Sequence, residues 1–224
     1  MTKKTTVSLC LVLLVFLGVS AIAMIKDGFI TINGGRHIVF LRIPTAPVVT
    51  GAESDAGLQP ISGNLNTDNR YGEYFCCLGD AVGGPNSARY IWVAVPFIPS
   101  ANMNVKKVEA GIQYVTGTNE IVLSINSDNN GLPGNALATF HVKHLAGGGS
   151  CCKLAVGTSA NGVPVTQGTQ YWLVVSTDSS DQDFLGGWVF NTTDMRSYPF
   201  AIDQVGNGWK ADNGLLPAYA VLGN

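Results

Sequence analysis

Short apolar runs that alternate with polar residues, each closed by a cluster of Gly, Asn, Ser or Pro, recur along most of the 224-residue chain. In 120–126 (EIVLSIN), Ile121, Leu123 and Ile125 share one face of an extended chain, and Val122 and Ser124 share the other. In 171–177 (YWLVVST), Tyr171, Leu173 and Val175 oppose Trp172 and Val174. Successive side chains of a strand point to opposite faces, so a period of two predicts half-buried β-strands. The same reading places strands at 90–98, 105–115, 136–143, 186–191, 200–205 and 218–223. Regular turn signals between short strands are the pattern of a sandwich or barrel.

Residues 24–45 predict a further hairpin, with GFITI and HIVFLRI joined at Asn33-Gly34-Gly35. Asn and Gly tolerate the positive φ that tight hairpin turns demand. From Pro44 to about Asn69 the chain is rich in Pro, Gly, Ser and Asn and reads as loop or linker, the best boundary in the sequence. Beyond the first 23 residues no segment sustains a helical apolar stripe, which argues against an α/β enzyme fold. The expected architecture is all-β: an antiparallel β-sandwich of jelly-roll type over 70–224, preceded by a short β segment within 24–69.

Residues 1–23 follow a different plan. Lys3 and Lys4 precede an apolar stretch from Val7 to Val19, and Ala21-Ile22-Ala23 supplies small residues at a cleavage position. This is the three-part plan of a secretory signal peptide, with an uncleaved membrane anchor as the competing reading. Cleavage removes Cys10 and leaves 201 residues, enough for one domain with a substantial core. The formal charge of -2 becomes -4 once the two leader lysines are gone, which argues against nucleic acid as a partner. A membrane is expected as a partner only through a retained leader. Charged residues make up 12% of the chain, low for a helical cytoplasmic protein and in keeping with a β-rich secreted one.

One region is more specific. VEAGIQYVTGTNEIVLSINSDNNGLPGNALATFHV at 108–142 is followed by VPVTQGTQYWLVVST at 163–177, with FCCLGD before them and GNGWK after. The strand VLSI, the Asp-Asn-Asn-Gly-Leu-Pro-Gly turn at 128–134 and the Gly-Thr-x-Tyr-Trp-Leu strand together resemble the choice-of-anchor extracellular domains of bacteria, often found with PEP-CTERM sorting tails. The likeness spans roughly 70–224. It implies a secreted β-sandwich and no particular activity, and AYAVLGN at the end is not a sorting tail of that kind.

Candidate chemistry is sparse. Asn126, Asp128, Asn130 and Gly131 match the start of a calcium loop, but Leu137 stands where a bidentate Glu belongs, so a structural turn is the preferred reading. Asp178, Asp181 and Asp183 could add a second loop calcium site; calcium is the one cofactor the sequence suggests. His141, His144, Cys151 and Cys152 have zinc-like spacing, yet residues three apart on a strand point to opposite faces. Neither G-x-S-x-G nor H-E-x-x-H occurs, and no pair of carboxylates is marked out as an acid and base.

Aromatic residues are the stronger hint. Trp188 after Gly186-Gly187, Tyr198 before a proline and Trp209 between Gly208 and Lys210 sit in turn-like settings and are the candidate sugar platforms. Trp92 and Trp172 lie in apolar runs and read as core. The sequon at Asn191 carries little weight under the bacterial origin that the leader and the resemblance imply. In an oxidising compartment, Cys76 and Cys77 are expected to cross-link with Cys151 and Cys152, in either of two pairings. The expectation is a secreted, non-catalytic protein with a surface, matrix or adhesion role. A carbohydrate-binding module is the alternative, and a polysaccharide-active enzyme has least support. Extracellular glycan or cell-surface matrix is the expected partner.

Overall fold

The computed structural model describes residues 29–32, 37–40, 57–65, 74–147, 153–178, 182–191, 197–204 and 206–224. Among the described residues there is no helix, and the regular structure is sixteen strands. In chain order they are β1 (Phe29–Ile32), β2 (His37–Phe40), β3 (Gln59–Gly63), β4 (Tyr74–Gly83), β5 (Ile91–Phe97) and β6 (Met103–Ala110). Next come β7 (Ile112–Thr116), β8 (Glu120–Asp128), β9 (Pro133–Lys143), β10 (Ala146–Gly147) and β11 (Ala155–Val165). The last are β12 (Tyr171–Ser176), β13 (Leu185–Asn191), β14 (Ser197–Gln204), β15 (Trp209–Leu215) and β16 (Tyr219–Gly223).

The strands form a large and a small sheet. In the large one β9, β8, β12, β5, β14 and β15 are neighbours in that order, every pair antiparallel. A second run, β10-β7-β13-β4, continues into β2 and β1 and, among the described residues, joins the first at the single pair Gly83↔Ile91. The small sheet is β11-β6-β16-β3. Residues from both runs and from the small sheet share one apolar cluster, including Val93, Leu123, Leu173, Ile112, Trp188, Ile38, Val108 and Val221. The large sheet must therefore curl at its weak junction so that all three faces close on one interior.

Chain continuity helps this closure. β6 runs into β7 through Gly111, so one extended segment leaves the small sheet and enters the large one. The Gly111 N–H donates to the Ala218 carbonyl at 2.9 Å, and its carbonyl accepts from Val189 N–H at 2.9 Å. The alternation read from sequence holds in β8 and β12: Leu123, Ile125, Leu173 and Val175 are fully buried in the main core. Burying each such side chain contributes about 1.5–3 kcal/mol.

The antiparallel sandwich expected from sequence is the observed architecture, with differences in its parts. The expected strand at 105–115 is two strands, β6 and β7, divided at the corner. The linker expected at 44–69 contains β3, which pairs with β16 and completes the small sheet. The N-terminal hairpin forms with Phe29 opposite Phe40, and it is not a separate segment. β2 pairs with β4, and Ile38 is completely buried in the common core. β11 escapes the pattern because its middle is polar and its register with β6 slips between Thr158 and Val163.

Candidate functional site

The face of the large sheet turned away from the main core carries a second, smaller apolar cluster. It consists of Ala94 on β5, Trp172 and Val174 on β12 and Ala201 on β14, with Leu132 and Trp209 packed against it. These are the alternate positions to the inward-facing residues of the same strands, as a period of two requires. Trp172 is only 3% exposed because the β8–β9 loop bearing Leu132 covers it. Trp92 and Trp209 remain half-buried at the margin. Asp203 pairs in register with Trp92 of β5 on one side and Trp209 of β15 on the other. Tyr90 closes this corner, its ring edge-on to Trp92 at 5.4 Å between centroids and 73° between planes.

Hydrogen bonds fix these aromatics. Trp92 Nε1 donates to Thr177 Oγ1 at 3.2 Å. The Asp203 side chain is inside the β14–β15 hairpin and accepts from the backbone N–H groups of Gly208, Asn207 and Gly206. Burial nevertheless raises its pKa, with those donors and the charge of Lys210 opposing the rise. The Tyr90 hydroxyl is also pushed up, by burial first and then by the negative charge of Asp203.

The segment that matches the start of a calcium loop forms the tight turn preferred from sequence, with both Asp128 oxygens in hydrogen bonds. Asn129 N–H donates to Leu132 O at 2.8 Å and Leu132 N–H to Asn129 O at 3.2 Å, closing a tight loop over Asn130 and Gly131. Both central residues have positive φ, 55° and 81°, which is why Asn-Gly is needed there. Asp128 Oδ2 accepts Gly131 N–H at 3.0 Å, and Oδ1 accepts Gln170 Nε2 at 2.7 Å and Trp172 Nε1 at 2.8 Å. Burial alone would raise the pKa of Asp128, but these three bonds outweigh it and hold the carboxyl below its usual value. Asn126 Nδ2 donates to Gly134 O at 2.8 Å and its Oδ1 accepts from Ser124 Oγ at 2.7 Å.

The remaining acidic candidates are spread out. Asp183 accepts the Thr118 N–H and hydroxyl at 2.9 and 2.7 Å, bonds that lower its pKa. Thr118 precedes β8 and Asp128 ends it, so Asp183 and Asp128 lie roughly 30 Å apart at about 3.3 Å per residue. Asp178 faces His141, Oδ2 to Nδ1 at 3.3 Å, and the same nitrogen lies 3.3 Å from Glu120 Oε1. Glu120 Oε2 in turn meets Lys143 Nζ at 2.8 Å. Asp181 lies outside the described residues. The described residues contain no group of three or more His, Cys, Asp and Glu side chains arranged to hold a metal ion.

One aromatic expectation needs correcting, and a second residue lies away from the outer face. Trp188 is completely buried in the main core and donates through Nε1 to the Ala218 carbonyl at 2.9 Å, so it offers no face to a ligand. Tyr198 is half-buried and packs against the main core from β14. Trp209 alone of the three lies on the outer face, in the company of Trp92 and Trp172. Those two read as core from sequence because the inner and outer faces of β5 and β12 are both apolar. Asn191 is fully buried with its amide donating to the Asn64 carbonyl, which removes it as a glycosylation acceptor. The backbone of Cys76 and Cys77 belongs to β4, while Cys151 and Cys152 lie outside the described residues, and with them the expected cross-link. His144 follows β9 at a φ of 57°, and the zinc spacing it shared with those cysteines also falls outside what is described.

Compared with known proteins, the chain matches no family model and no curated protein.

Proposed function

We propose that the protein is a secreted, non-catalytic β-sandwich module with a surface, matrix or adhesion role, which meets its partner through the outer face of the large sheet. The observation that carries this reading is the placement of Trp92 and Trp209 at the margin of that face, half-buried, with Asp203 paired in register between them. Half-buried indoles on a sheet face beside one acceptor suit an extracellular glycan, which makes carbohydrate binding the favoured form of the role. The leader at 1–23 supports export. The likeness of 108–177 to choice-of-anchor domains supports a place at the cell exterior.

Binding of the purified protein to a glycan array tests the reading, with Trp92→Ala and Trp209→Ala in parallel. Binding that both substitutions reduce at least tenfold supports it. Binding that neither changes sinks the outer face as the site. Turnover on a polysaccharide panel, lost in a carboxylate variant, would replace the non-catalytic reading with an enzymatic one.

A further inference from the structure

We infer that the row Trp92–Asp203–Trp209 receives an ammonium-bearing sugar, so that the glycan bound is one whose amino sugars carry free amines. The inference rests on the outer face being the binding face. The three residues sit side by side on β5, β14 and β15, their Cα atoms spanning roughly 10 Å across neighbouring strands. Asp203 is 6% exposed, and its Oδ1 has no hydrogen-bond partner, although the hairpin N–H groups serve the carboxylate. A buried carboxylate oxygen left without a donor is costly. Its strongest complement is a charged N–H donor, whose hydrogen bonds are about twice as strong as those of neutral groups.

The surroundings select the same chemistry. Aromatic faces attract cations, and the edge-on pair of Tyr90 and Trp92 presents two walls at one corner, with Trp209 at the other. The indoles also suit the apolar face of a sugar ring. Lys210, the neighbouring cation, is exposed and pairs with Ile202, so it belongs to the opposite face of β15. The chain as a whole is acidic, which complements a cationic polymer. A hydroxyl group would satisfy Oδ1 more weakly, and an acidic sugar would meet like charge. Because Oδ1 has no accessible surface, binding requires the groups around it to give way. Trp209 is placed to move, since among the described residues β15 pairs with β14 alone.

Titrating the intact protein with oligomers of glucosamine, N-acetylglucosamine and glucose of equal length tests the inference, followed by tryptophan emission and calorimetry. Glucosamine oligomers should bind with a change in emission, and acetylating the same oligomers should weaken binding at least tenfold, a comparison needing no variant. Asp203→Asn should weaken glucosamine binding at least tenfold, and so should Trp209→Ala. Equal affinity for all three sugars, or no binding of glucosamine oligomers to the native protein, overturns the inference. If neutral glycans bind and only the tryptophan substitutions matter, the ammonium requirement fails while the outer face stands. If binding survives both tryptophan substitutions, the face itself fails.

Discussion

Asp128 shows how one carboxylate can settle a local structure. Its two oxygens receive a turn N–H, a glutamine amide and the indole of a tryptophan that is 3% exposed. Asp128→Ala leaves that buried indole N–H unpaired and should cost about 1–3 kcal/mol in urea denaturation at neutral pH. The pH dependence has a definite sign. The pKa of Asp128 is lower in the folded than in the unfolded chain, so its contribution is complete above the unfolded value of about 3.9 and is lost as pH falls through the lowered folded value. Denaturation from pH 6 down to pH 2 should therefore show the gap between native protein and Asp128→Ala narrowing at the acid end. A gap constant across that range would contradict the assignment. Tryptophans separate just as sharply. Trp188→Ala should cost about 3–5 kcal/mol, whereas Trp209→Ala, at the half-buried margin, should cost far less and change binding instead. Melting curves of the two variants decide this.

At the scale of elements, what the sequence disclosed depended on whether the two faces of a strand differ. β8 has Ile121, Leu123 and Ile125 on one face and Ser124 and Asn126 on the other, so alternation displayed which face meets the main core, although the polar face is buried too. β5 and β12 are apolar on both faces, and composition alone cannot tell which tryptophans face the main core. β13 misled for another reason. Gly186 and Gly187 before Trp188 resemble a turn, yet both are mid-strand, and a side chain at Gly186 would collide with the Gln113 carbonyl and the Phe184 ring. Glycine there marks a close backbone approach, not a bend. The loop at 128–134 was legible because its chemistry is entirely local. Gly131→Ala forces an L-residue to a φ of 81° and should cost about 1–2 kcal/mol in thermal or urea denaturation, with the rest of the sheet unchanged. The row Trp92–Asp203–Trp209 joins residues more than a hundred positions apart, and only strand order reveals it.

For the whole molecule, the decisive question is whether the N-terminal hairpin is an appendage or a part of the fold. Composition of 44–69 suggested a boundary, because prolines and glycines obscure β3 and no local pattern reveals that β2 will pair with β4. Pairing and burial give the opposite answer. β2 adds to the same strand that binds β13, and Ile38 is as deeply buried as Val93 or Leu173 in one cluster shared by both sheets. A residue of a detached hairpin could be truncated without effect on the sandwich. Ile38→Ala should instead cost about 2–5 kcal/mol, as cavity-forming substitutions in a common core do. In a domain of this size that lowers Tm by roughly 2–4 °C per kcal/mol, within a single transition. Tryptophan emission, dominated by residues far along the chain, and far-ultraviolet circular dichroism should lose signal together. Two transitions, or an unchanged Tm, would restore the hairpin as a separate unit. One coincident, shifted transition would show that the outer face of the large sheet and the N-terminal strands rest on the same core.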